Sequence, residues 1–268
     1  MIGPGGGSPA GRLLLVGGAE DRRYQKVVLR RVVAEAGPGG ILVVPAASSR
    51  PETTAREYED AFGGLGAGAV GSFHVVCRED AESPAAADAV GAAGLVFFTG
   101  GDQVKLVGLL EGTRLMAEVR RRFGEGLAVA GTSAGAMACA DPMLFDGDRD
   151  GLTKGVIGTA PGFGFVRGIA VDSHFLQRYR LLRLTQFLSA GHAARAIGLP
   201  EDGGVLLTPD GVLEALGEGP VTVLSRSPRF ETDYAEREDR QPISATGLEI
   251  GFLSPGAKFD TVAWARKG

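Results

Sequence analysis

Leu127-Ala128-Val129-Ala130-Gly131-Thr132-Ser133-Ala134-Gly135 decides how the rest of this chain is read. Four apolar residues without alternation fit a strand buried on both faces, and the glycines that follow mark a sharp turn. Residues 134–139 then read as a helix. Strand, turn and helix in that order give Gly-x-Ser-x-Gly the context of a nucleophile elbow. Glycines flank the serine because the turn strains its backbone, and neighbouring Cβ atoms would clash there. The competing reading of Ser133 is a helix N-cap after a glycine turn.

Runs of the same kind lie upstream. Residues 12–16 end in Gly17-Gly18, Ile41–Val44 end at Pro45, and Leu95–Phe98 end in Thr99-Gly100-Gly101; 73–77 make a fourth run. Helical character fills the intervals 22–36, 52–63, 83–92 and 103–123. This alternation predicts an α/β fold, a doubly wound and mostly parallel sheet with flanking helices. Ligands bind such sheets at the carboxyl ends of the strands, where the glycine turns 17–18, 100–101 and 131–135 fall.

Beyond Ala140 the pattern loosens. Asp146-Gly147-Asp148-Arg149-Asp150-Gly151 reads as a loop; its alternating acids suggest a calcium loop, but the required twelfth-position glutamate is absent. Residues 168–171 predict a strand and 178–190 a helix. From Val205 to Leu224 short strands predict an antiparallel C-terminal β extension of the sheet, and 226–242 a loop. The expectation is one domain over 1–268, with 1–11 a flexible N-terminal segment.

Composition narrows the function classes. The 28 Lys and Arg against 32 Asp and Glu leave a net charge of −4, which argues against nucleic acid as a partner. No apolar run approaches the ~18–20 residues that span a membrane. The first dozen residues lack the pattern of a signal peptide. Two cysteines, Cys77 and Cys139, cannot build a disulfide framework or a structural zinc site. A reducing cytoplasm and a site without metal or cofactor are expected. The 43 glycines are about twice the usual ~7% share, and many directly follow apolar runs.

A serine nucleophile needs a base, and the chain has only His74, His174 and His192. His74 falls inside an apolar run and His192 near a helix end. His174 follows a predicted strand at the same sheet edge as Ser133 and is the base by elimination. Glu201 or Asp202, after another apolar run, supplies an acid to orient it. The order Ser–His–acid differs from that of α/β-hydrolases, so a different fold should carry a convergent triad.

Thr99-Gly100-Gly101-Asp102-Gln103, Gly131 through Ala136, Asp172-Ser173-His174-Phe175 with Arg178, Arg180 and Arg183, and Pro200-Glu201-Asp202 together resemble the cyanophycinases of serine peptidase family S51. The resemblance runs from Gly17-Gly18 to about Leu224. It implies a fold related to class I glutamine amidotransferases, flavodoxin-like in its winding. It implies Ser133 as nucleophile, His174 as base, Glu201 as the orienting acid, and the amides of Gly101 and Ala134 as oxyanion hole. Gln103, Asp172, Ser173, Arg178, Arg180 and Arg183 match the family's substrate pocket. The implied activity is hydrolysis of cyanophycin, a poly-aspartate with arginine on each side-chain carboxyl, to β-Asp-Arg dipeptides by a homodimer. Ser173 stands where the family commonly has Gln, and Pro200 where it commonly has Asp; both departures bear on the substrate.

The arginines also read independently. They interrupt an apolar helix face of Phe175, Tyr179, Leu182 and Phe187, and are either a solvated face or forks for substrate carboxylates. Their start four residues after the proposed base favours forks. Two alternatives stand beside a cyanophycinase-like peptidase: an Asp-specific dipeptidase of the same superfamily, and a silent amidotransferase-like scaffold.

Overall fold

A computed structural model describes residues 10–147 and 151–266. The segment expected to be flexible, apart from residues 10 and 11, lies outside the described residues, as do Asp148, Arg149 and Asp150 of the charged loop. The first half alternates strand and helix: β1 (Leu13–Val16), α1 (Val27–Ala36), β2 (Ile41–Val44), α2 (Pro51–Gly63), β3 (Val70–Ser72), α3 (Arg78–Glu82), α4 (Pro84–Ala92), β4 (Leu95–Phe98), α5 (Gln103–Leu110), α6 (Arg114–Gly124), β5 (Ala128–Thr132) and α7 (Ala134–Ala138). The second half is richer in strands: β6 (Ala140–Asp141), β7 (Met143–Phe145), β8 (Gly158–Ala160), β9 (Val166–Arg167), β10 (Ile169–Asp172), α8 (Leu181–Ser189), β11 (Arg195–Gly198), β12 (Gly203–Leu207), β13 (Val212–Gly217), β14 (Val221–Thr232), β15 (Ala245–Leu253), β16 (Lys258–Asp260) and α9 (Thr261–Arg266).

Among the described residues the main sheet runs β16-β13-β12-β1-β5-β4-β2-β3. The five strands from β1 to β3 pair parallel, and β12, β13 and β16 extend them antiparallel. Neighbouring residues on one strand serve opposite faces, as the pleat requires. Leu13, Leu15 and Phe98 pack with Leu106, Met116 and Phe123 on one side. Leu14 and Phe97 pack with Leu29, Tyr58 and Phe62 on the other. The sheet is therefore doubly wound, as its non-alternating apolar strands demand.

Several sequence expectations are corrected. The strand expected over 73–77 is β3, three residues upstream. The helix expected over 103–123 is broken into two; Thr113 accepts the amide of Met116 and starts α6 afresh. The strands from Val205 to Leu224 do not all extend one sheet. β14 leaves it and joins a second sheet, β10-β11-β14-β15, covered by Phe187, Leu184 and Leu188 of α8. The loop expected over 226–242 is strand as far as Thr232. Pro228 is tolerated because the β14–β15 register shifts between Arg226 and Glu231, so its missing N–H interrupts no regular ladder.

The rings of Phe97 and Tyr58 lie 4.8 Å apart and those of Phe97 and Phe62 5.2 Å apart. Phe97→Ala opens a cavity among rings that cannot collapse into it, and should cost roughly 3–5 kcal/mol of stability in a chemical denaturation series. A loss below about 1 kcal/mol would mean that this face relaxes freely.

Candidate active site

β5 delivers Thr132 to the sheet edge, and the chain turns through Ser133 at φ 51 and ψ −113 into α7. A Cβ on Gly131 would lie 2.4 Å from the Gly135 carbonyl oxygen, and one on Gly135 2.3 Å from that of Phe98. The two glycines let strand, turn and helix close on each other, which explains why the elbow needs both.

His174 follows β10 of the second sheet, also in the left-handed region at φ 49. Its Nε2 lies 2.9 Å from Ser133 Oγ, and its Nδ1 lies 2.7 Å from Glu201 Oε1. With Nδ1–H donating to the carboxylate, Nε2 is left to accept the serine proton. Glu201 sits in the turn joining β11 of the second sheet to β12 of the main one. The expectation of one shared sheet edge is thus corrected: the three side chains meet where two sheets abut. Asp202, the other candidate acid, instead accepts the Asp21 amide at 3.0 Å, and burial raises its pKa. His74 faces Ser72 Oγ at 3.2 Å, and the His192 ring tilts against Phe187 at 4.9 Å.

The backbone leaving β1 gathers these pieces. The carbonyl of Val16 accepts the amide of Ser133 at 2.9 Å, that of Gly17 the amide of His174 at 2.8 Å, and that of Gly18 the amide of Asp202 at 3.0 Å. Side chains would block this gathering. A Cβ on Gly17 would fall 2.0 Å from the Pro200 oxygen, and one on Gly18 2.5 Å from His174 Nε2. The sequence reading missed these three carbonyls, because backbone acceptors leave no residue signature. It also missed Glu20, a buried acid in the turn after β1 that accepts the Thr132 hydroxyl; an ionisable residue two places after the Gly17-Gly18 turn was the available signal.

Gly100 brings the β4 exit against the elbow, since a Cβ there would touch Ser133 Cβ at 3.3 Å. Gly101 follows at φ +142, a conformation suited to glycine, with Ala47 directly behind it. A cleft of about 640 Å³ opens beside it, lined by Gly101, Gln103, Phe145, Arg180 and Arg183 among others. Gln103 donates from Nε2 to the Leu144 carbonyl at 3.2 Å.

The expected helix face of Phe175, Tyr179, Leu182 and Phe187 is not formed. Residues 176–180 turn rather than coil into a helix, and Tyr179 is 88% exposed, whereas Arg180 and Arg183 are buried. The reason is Asp172, fully buried on β10. Arg180 Nη1 lies 3.1 Å from its Oδ1, and Arg183 Nε 3.2 Å from its Oδ2. Arg180 also donates to the Ser173 carbonyl at 2.7 Å. The Ser173 hydroxyl is buried against Met137 Sδ at 3.2 Å. Arg178 stays exposed beside His174, whose carbonyl accepts its amide at 2.9 Å. Among the described residues, no group of three or more His, Cys, Asp or Glu is placed to hold a metal ion, and no helix is long and apolar enough to cross a membrane.

Residues 13–214 match the family model of Peptidase family S51. The cyanophycinase of Synechococcus elongatus is 32% identical over 92% of this chain and 78% of its own. That of Geminocystis herdmanii is 30% identical over 92% of this chain and 93% of its own. A crystal structure of a peptidase from an acI-B1 actinobacterium shares the fold, with a TM-score of 0.69 at 21% identity over 95% of this chain and 98% of that one. Fold and relatives together define a serine-type peptidase, a hydrolase. Within that class the chain belongs to peptidase family S51, and its curated relatives are cyanophycinases.

Burial lowers the pKa of His174 and outweighs the raising effect of Glu201, with Arg178 adding to the decrease. Only the neutral ring can take the Ser133 proton. The rate at which a fluorophosphonate labels Ser133 should therefore rise with pH through a midpoint below the ordinary ~6.5. A midpoint above that value would mean that Glu201 dominates.

Arg180→Ala withdraws a buried guanidinium from the buried Asp172 and should cost about 3–5 kcal/mol by denaturation. Arg121, whose exposed guanidinium pairs with Glu118 and Glu125, should lose less than about 1 kcal/mol on the same change. Equal losses would show that Asp172 does not depend on Arg180.

Proposed function

We propose that this chain is a cyanophycinase-type serine peptidase with Ser133 as nucleophile, His174 as general base and Glu201 as the acid that orients it. The observation that carries the reading is the unbroken Ser133–His174–Glu201 hydrogen-bond relay at a strained elbow. Ser133 Oγ attacks the scissile carbonyl as His174 Nε2 takes its proton. His174⁺ then protonates the leaving amine, and an acyl-enzyme remains. A water, deprotonated by the same ring, attacks the ester carbonyl, and Ser133 leaves with the proton from His174. Glu201 holds the tautomer and faces the imidazolium formed in each half-reaction. The amides of Gly101 and Ala134 serve the developing oxyanion, one from the β4 exit and one from the first turn of α7.

The substrate is cyanophycin or related β-Asp-Arg material, cut to dipeptides. Gln103, Arg180 and Arg183 line the cleft beside Gly101 together with Asp102 and Asp146, a polar lining of both charges that suits a substrate carrying carboxylates and guanidinium groups. Asp172 and Ser173 act from behind as buried supports, and Arg178 presents an exposed cation at the rim. On the same reading the chain acts as one peptidase domain and works as a cytoplasmic homodimer.

Ser133→Ala should leave the thermal unfolding midpoint nearly unchanged and reduce release of β-Asp-Arg from cyanophycin, followed by mass spectrometry, on the order of 10⁴- to 10⁶-fold. Substantial residual hydrolysis would remove Ser133 from the mechanism. Robust labelling of Ser133 together with cleavage of Asp-X dipeptides, but not cyanophycin, would move the assignment to the dipeptidase.

A further inference from the structure

We propose that Glu20 is a positioning residue: its buried carboxylate sets the strained Ser133 elbow by holding Thr132. This rests on the reading of Ser133 as nucleophile. Glu20 follows the Val16–Gly18 segment that gathers Ser133, His174 and Asp202, and only 6% of its surface is exposed. Among the described residues no cation pairs with it; its two oxygens accept two hydroxyl protons instead. Oε1 accepts from Tyr58 of α2, and Oε2 accepts from Thr132 Oγ1 at 2.8 Å.

A carboxylate in that setting is a costly way to fill space, since an apolar side chain there would need no partner. What the carboxylate adds is connection. Tyr58 is wedged against Phe62 and Phe97 in the core, and burial together with the nearby Glu20 raises its pKa well above the phenol range, so its proton stays in place to be donated. Thr132 is the last residue of β5 and directly precedes Ser133. A continuous line of contacts therefore runs from the aromatic core through Tyr58 and Glu20 to Thr132. Strained backbone persists only where its surroundings over-determine it. At Ser133 two constraints converge from the β1 side: its amide on the Val16 carbonyl, and the Glu20 tether on the residue before it. Without the tether only the β1–β5 ladder fixes Thr132, and Ser133 Oγ drifts from its line to His174 Nε2.

Glu20→Gln and Thr132→Val test this, with Thr132→Ser as the conservative variant that keeps the hydroxyl and Tyr58→Phe loosening the far end. Three readouts are needed: the fluorophosphonate labelling rate of Ser133, kcat and KM on cyanophycin, and the thermal unfolding midpoint. Glu20→Gln and Thr132→Val should each slow labelling and lower kcat by about ten- to a hundred-fold, the scale of small misplacements. KM should stay within about two-fold, since ground-state binding is untouched. Thr132→Ser should restore the rate, Tyr58→Phe should lose less in the same direction, and the pH midpoint of labelling should not move. Folded variants that label at the wild-type rate, even with a lowered unfolding midpoint, would reduce Glu20 to a structural hydrogen bond and overturn the proposal. If Glu20→Gln does not fold, the contrast between Thr132→Val and Thr132→Ser decides alone. If the wild type is not labelled at Ser133 and Ser133→Ala keeps its activity, the nucleophile assignment fails and this proposal with it; if the wild type is labelled and the variants match it, only this proposal fails.

Discussion

Everything at the site depends on three successive carbonyls leaving β1. Val16, Gly17 and Gly18 each accept one amide, from Ser133, His174 and Asp202 in turn. The hydrogen-bonded side chains that those segments carry are 41 residues apart from Ser133 to His174 and 27 from His174 to Glu201. Each segment leaves a different strand, and two sheets are involved. One short piece of backbone, the end of β1 and the bend at Gly18, thus offers three successive acceptors that fix the three segments relative to one another. The absence of Cβ atoms at Gly17 and Gly18 is what allows the segments to come that close.

Strain is concentrated around this piece of backbone. Ser133, His174 and Asp202 all have positive φ, an unfavourable region for residues with side chains. Cooperating contacts hold each in place: tight glycine packing under the elbow, the β1 carbonyls, and the Asp21 amide on the Asp202 carboxylate. Asp21 itself is fastened by the backbone amides of Lys26, Tyr24 and Arg23, which keep its carboxyl strongly acidic. The loop after β1 thus forms a rigid wall against which the relay is set.

Charge is organised differently on the cleft side. Asp172, at the end of β10, draws Arg180 and Arg183 inward and leaves Tyr179 and Leu182 in solvent. Burying that much charge is tolerable only because the groups are mutually paired and hydrogen-bonded. The result is an arginine-bearing cleft wall whose geometry is set from behind by Asp172.

The sequence by itself determined the doubly wound half of the fold, because parallel strands buried on both faces must be continuously apolar and their turns must be rich in glycine. It determined Ser133 and His174 as partners too: the elbow has a local spacing, and the chain offers few histidines. Spacing alone left Glu201 and Asp202 undivided and the family resemblance pointed to Glu201; in the fold Glu201 faces Nδ1 while Asp202 is taken by the Asp21 amide. Tertiary structure alone also divided the C-terminal strands between two sheets, because antiparallel strands of either sheet share one alternating pattern. It turned the arginines inward, for a helical spacing of charges looks the same whether water or a buried aspartate lies opposite. The β1 carbonyls were beyond any reading of side-chain pattern: backbone acceptors are identical at every residue, and only the packed fold decides which of them face the site.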